Sequence, residues 1–180
     1  MRRLLFACYL LLTPFLFQAA VMPDSLTTSI VPKPVTMKPG AGEFVINRFT
    51  VILVKGNDAE AIRIATFFAD RIRYAGGPIL QVREMTKDDK TLSALVFEMQ
   101  LQQSSLPEEG YALTVTAKKV LLAAKSGSGL FHGVQTLFQL LPSEISRHNP
   151  SMTYKEWAIP ALKITDYPAK KECMRFILTL

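Results

Sequence analysis

The sequence predicts an α+β domain, a mostly antiparallel β-sheet with two helices packed on one face, resembling a single two-layer unit. Three observations lead there. Six short runs rich in β-branched and aromatic residues are punctuated by Gly, Pro, Asn and Asp. Two longer stretches place apolar residues at steps of three and four. One pair of strands, around residues 111–124, alternates cleanly enough to be a hairpin with one dry face and one wetter one. The chain of 180 residues, 49% hydrophobic and 20% charged, has the balance of a globular protein. It is too short for a (β/α)₈ barrel of about 250 residues.

Taken in order, residues 1–20 read as a secretory signal peptide. Arg2-Arg3 precede an apolar run from Leu4 to Phe17, and Ala19-Ala20 offer small residues for cleavage. The run is shorter than the ~20 apolar residues a spanning helix needs, so export without a stable membrane anchor is expected, with a signal anchor as the alternative. Cys8 leaves with the signal on this reading; it also allows a lipoprotein-like cleavage box. Residues 21–38 form a strap rich in Pro, Ser and Thr, whose Val31-Pro32-Lys33-Pro34 keeps the backbone extended. Residues 39–168 make the domain. Gly40-Ala41-Gly42 turns the chain into strands at Phe44–Ile46 and Phe49–Val54. Asn57-Asp58 can cap a helix whose apolar face is Ile62, Ala65, Phe68 and Ile72 and which ends at Gly76-Gly77-Pro78. Strands follow at Ile79–Arg83, Leu92–Met99, Tyr111–Thr116 and Val120–Ala124. Ser126-Gly127-Ser128-Gly129 then opens a second helix with Leu130, Val134, Leu137 and Leu141 on one face, stopped by Pro142. Residues 169–180 follow the domain.

Charge and motif content exclude more than they assign. Loss of residues 1–20 removes Arg2 and Arg3 and leaves 19 basic against 15 acidic side chains, a net charge of +4. The basic residues look scattered along the chain, without interleaved aromatics, so no nucleic-acid partner is expected. Cys173 remains alone, with no Cys/His spacing for a zinc site. The turn at 126–133 spaces its glycines G-x-G-x-x-x-G and follows a hairpin, unlike the dinucleotide-binding fingerprint; helix–sheet packing at Gly133 accounts for them. Asp88-Asp89 and Glu108-Glu109 lie in polar turns and read as solvated charges rather than a glycosidase pair. His132 and His148 have no nucleophile-elbow serine to serve. Gln135, Thr136 and Gln139 form a polar stripe suited to hydrogen-bonding a neighbouring domain. No catalytic, substrate-binding, cofactor-binding or metal-ligating residue is assigned, and no cofactor is expected.

The order of certain residues is more specific than their types. Ile30-Val31-Pro32-Lys33-Pro34, Glu109-Gly110-Tyr111-Ala112-Leu113-Thr114-Val115, the string from Gly129 to Pro142, Ile159-Pro160-Ala161 and Asp166-Tyr167-Pro168 resemble the N-terminal, non-catalytic α/β domain of family 20 glycoside hydrolases, the β-N-acetylhexosaminidases. That resemblance covers about residues 29–168. It implies two helices on one face of a sheet and a second helix, around Gln135–Leu141, that packs against a following catalytic barrel, in the same polypeptide or separately encoded. It also implies that the family's chemistry, an Asp-Glu pair that enlists the substrate's acetamido group, belongs to that barrel. After Pro168 the register places Cys173 where the family's sugar-gripping Arg is expected, so against the family's pattern residues 169–180 are an aberrant stub where the barrel would begin. The resemblance thus implies a fragment inactive on its own; the alternative is a stand-alone exported accessory or carbohydrate-binding module.

Overall fold

The computed structural model describes residues 30–56, 58–87, 89, 93–99, 105–146 and 157–168, apart from the side chain of Glu144. The expected signal segment with Cys8, residues 21–29 of the strap, Asp88, His148, Cys173 and the stub at 169–180 lie outside the described residues. Seven strands form one sheet: β1 (Thr36–Ile46), β2 (Val51–Lys55), β3 (Gln81–Glu84), β4 (Ala94–Met99), β5 (Tyr111–Val115), β6 (Lys119–Ala124) and β7 (Trp157–Asp166). Their order is β1-β7-β5-β6-β4-β2-β3. Two helices, α1 (Ala59–Tyr74) and α2 (Gly127–Leu140), lie side by side on one face, α1 over β2, β3 and β4 and α2 over β4, β5, β6 and β7.

The α+β arrangement and both helices on one face are as the sequence predicts. The antiparallel pairing holds for β1–β7, β7–β5 and β5–β6. The other half differs, because β6–β4, β4–β2 and β2–β3 are parallel. For β2–β3 the reason is connectivity: α1 carries the chain from the end of β2 back to the start of β3, and a helical crossover returns a strand in the same direction. The burial pattern carries the same message. Ile52, Leu53 and Val54 are consecutive buried residues, as are Ala94 to Phe97, which is how a parallel strand covered on both faces reads.

Strand β1 starts at Thr36, inside the Pro-rich strap, and pairs with β7 through Thr36↔Thr165 to Pro39↔Leu162 before its register shifts between Pro39 and Glu43. A proline on an edge strand beside a bulge forfeits no ladder hydrogen bond that the sheet needs. The sequence reading assigns no strand to Trp157–Asp166; the structure places a ten-residue strand there, second from the edge. Pro160 is tolerated because it lies opposite the bulge and beyond the end of β5, whose pairing with β7 stops at Val115↔Leu162. Between sheet and helices sits one core that includes Phe44, Phe68, Phe97, Tyr111, Leu113, Leu122, Leu130, Leu137 and Ile159, all essentially inaccessible to solvent.

Candidate interaction surface

What the helices present to solvent follows from how tightly they are seated. Asp58 caps α1, its Oδ1 accepting from the Ala61 N–H at 2.9 Å. Ser126 caps α2, its Oγ accepting from the Gly129 N–H at 3.3 Å while its hydroxyl donates to the Glu108 carbonyl. A Cβ at Gly133 would run into the Leu122 side chain on β6, and one at Gly129 into the Gly110 carbonyl before β5. These glycines let α2 lie close on the sheet, in agreement with the packing role read from sequence. Ala61, Ile64, Ala65, Phe68, Ala69 and Ile72 of α1 are buried beneath, with Ile62 only half-buried.

Turned outward from the two helices is an aromatic patch. Phe67 on α1 is 44% exposed and Phe131 on α2 is 41% exposed, with ring centroids 5.7 Å apart. Phe138 lies edge-on to Phe67 at 5.9 Å and stacks on buried Phe68 at 5.4 Å. Phe68 in turn meets Phe97 of β4 at 6.0 Å, so the surface rings are the outer end of a stack rooted in the core. Two open grooves flank the patch. One of about 520 Å³ runs past Glu60, Arg63, Phe67, Phe131 and His132, and one of about 650 Å³ passes Phe67, Arg71, Gln135 and Phe138. Two phenylalanines exposed side by side within a rim of Arg, Gln and His have the composition of an interface core and its edge.

Beside α2 the strap closes a cavity of about 500 Å³ against the end of β7. Here two members of the predicted polar stripe turn out to be engaged within the domain. The Gln139 carboxamide accepts from the Val31 N–H at 2.9 Å and donates to the Val31 carbonyl at 3.1 Å, holding the strap as a neighbouring strand would. Thr136 is buried, its hydroxyl 2.6 Å from the Tyr111 hydroxyl. Tyr111 also donates to Asp166 at 3.5 Å, and Asp166 accepts from the Val35 N–H at 3.1 Å. Burial pushes the Tyr111 phenol up to about 12, the Asp166 carboxylate adding to the rise. The expectation that the whole stripe serves a neighbouring domain is therefore corrected for Thr136 and Gln139; Gln135 remains half-buried on the outer surface.

Of the carboxylates singled out in the sequence, Asp89, Glu108 and Glu109 are among the described residues, and they form no shared cluster. Glu108 is exposed and pairs with Lys125 at 2.9 Å, and exposed Glu109 offers its main-chain carbonyl to His132 Nδ1 at 3.3 Å. Asp89 departs from expectation, since its side chain is only 3% exposed and pairs with Arg83 at 2.6 Å; the ion pair lets a turn carboxylate be buried. Among the described residues there is no cluster of three His, Cys, Asp or Glu able to hold a metal ion, and no helix long and apolar enough to cross a membrane.

Comparison with known proteins gives this architecture a family. Residues 27–167 match glycosyl hydrolase family 20, domain 2. A β-hexosaminidase of Porphyromonas gingivalis is 29% identical over 143 residues, which are 78% of this chain and 17% of that protein. A β-N-acetylhexosaminidase of Cellulomonas fimi is 26% identical over 147 residues, 82% of this chain and 27% of that protein. Among solved structures, the N-acetyl-β-hexosaminidase of Streptomyces plicatus superposes with a TM-score of 0.67 at 31% identity, covering 77% of this chain and 26% of that one. The family 20 β-N-acetylhexosaminidase of Streptomyces coelicolor gives 0.65 at 29% identity over the same shares. The chain thus spans about a quarter or less of the relatives it matches. It belongs to glycosyl hydrolase family 20, and what it carries of that family is domain 2.

Proposed function

We propose that this chain is the non-catalytic N-terminal domain of an exported β-N-acetylhexosaminidase, an enzyme that removes terminal N-acetyl-hexosamine residues, and that its helix layer buttresses the catalytic (β/α)₈ barrel. The observation that supports this most is the exposed Phe67–Phe131 pair on the outer helix face, an apolar patch that a soluble domain covers when it has a partner. Gln135 on the same helix supplies a polar group at its edge. On this reading the chain does not hydrolyse an aryl N-acetyl-β-glucosaminide by itself, because the acid and the acetamido-orienting carboxylate belong to the barrel. The basic and apolar start, Met1 to Ala20, directs it out of the cytoplasm.

Capture on this face is the test. The chain is expressed together with a family 20 barrel lacking its own domain 2, and the barrel is recovered through a tag on this chain. Recovery that is lost with Phe67→Ser/Phe131→Ser supports the docking face. Recovery unchanged by that pair of substitutions, or no recovery with the unaltered chain, contradicts it.

A further inference from the structure

The lysines that look scattered along the sequence are gathered by the topology onto the sheet face opposite the helices. In β1 and β7, Lys38 and Lys163 are direct cross-strand partners. Their neighbours Met37, Leu162 and Ile164 point into the core, so both lysines point outward, and both are exposed. Thr114 of β5 is the next residue in the same row, opposite Lys163, and Thr36 pairs with Thr165 one step along. Exposed Lys119 stands outward at the start of β6, beside exposed Lys118 in the turn.

Directly opposed residues of an antiparallel pair have Cβ atoms about 5 Å apart, where like charges oppose folding. Among the described residues no ion pair involves Lys38, Lys118, Lys119 or Lys163. The acidic residue on this face, Glu43, sits opposite Pro160, three residues along β7 from Lys163. Two ammonium groups side by side with no carboxylate between them make a local positive field that an anion would complement. The row is flanked by threonine hydroxyls, and the outward positions of β1, β7 and β5 carry no aromatic ring. That composition suits hydroxyl-bearing acidic chains better than a bilayer, into which such a face has little to insert.

We propose that the outward face of β1, β7 and β5 binds an anionic polysaccharide, the Lys38–Lys163 pair holding one acidic group and Lys119 adding to the field. The site lies across the sheet from the helix patch, and its existence does not depend on whether a barrel docks there.

Heparin serves as the probe, with phosphatidylglycerol vesicles as the lipid comparison. The full chain is expected to be retained on immobilised heparin at low salt and released as salt rises. Lys38→Gln/Lys163→Gln is expected to weaken binding roughly tenfold and to flatten the salt dependence, since two cations no longer displace counterions. Lys55→Gln, which alters a lysine already paired with Glu98, leaves retention unchanged. Folding does not confound the comparison, because removing these opposed like charges, singly or together, is expected to leave the thermal midpoint the same or higher. Equal retention of the double variant, binding to the vesicles but not to heparin, or a lowered midpoint on replacing Lys38 overturns the proposal.

Discussion

Tyr111 ties the sheet to α2 at a point where a single atom matters. Its hydroxyl shares a buried hydrogen bond with Thr136 and reaches Asp166. Tyr111→Phe leaves the Thr136 hydroxyl buried without that partner and is expected to cost about 1–2 kcal/mol in urea unfolding; Thr136→Val in the same chain should recover part of the loss. The phenol's rise to about 12 from its ordinary 10 also fixes a sign. The folded state holds the proton more tightly, so this contribution is complete below pH 10 and is lost as pH climbs through about 12. Urea midpoints measured on either side of that window should fall in the native chain and fall less in Tyr111→Phe. Gly133 makes a steric point of the same scale. Gly133→Ala forces Leu122 aside and is expected to destabilise by about 1–3 kcal/mol, read the same way. Residue roles set by the local chain were legible in the sequence: Asp58 as a cap, Gly133 as a packing glycine and Glu108 as a solvated charge all follow from neighbours within a few positions. Asp89 and Gln139 were not, because their partners, Arg83 and Val31, are chosen by the tertiary fold.

The helices were legible as elements because a period of 3.6 survives whatever lies beneath it, and the β5–β6 hairpin because its alternation and turn are local. Strand β7 was hidden by Pro160, whose licence comes from a bulge in β1 more than a hundred residues earlier in the chain. The parallel half was hidden for a related reason: strand direction belongs to connectivity, and only the uninterrupted apolar runs in β2 and β4 hint at it. The strap behaves as an element in its own right, with Ile30 buried in the core, Val31 held by Gln139 and Val35 by Asp166. Gln139→Ala is expected to speed hydrogen exchange at Val31 by about tenfold while the global unfolding midpoint shifts little, since only the strap's local opening is made easier. Loss of the whole domain's cooperativity in that variant would contradict this picture.

At the scale of the molecule the two faces have opposite characters. The helix face shows paired rings within a polar rim, and the far face of the antiparallel half shows lysines and threonines. Neither patch could be seen as such in the sequence, where Phe67 and Phe131 lie 64 positions apart and Lys38 and Lys163 lie 125 apart. The family, by contrast, was legible from the order of residues in the α2 string and the flanking prolines. The chain covers about a quarter or less of the relatives it matches, and the match is to that one domain. A helix face that docks a partner should betray itself when the chain is alone. The most direct measurement is light scattering with hydrophobic-dye fluorescence on the chain alone, beside Phe67→Ser/Phe131→Ser. The native chain is expected to self-associate or bind the dye, and the double variant, equally well folded by its far-ultraviolet signal, to do neither. A native chain that stays a dye-negative monomer would contradict it.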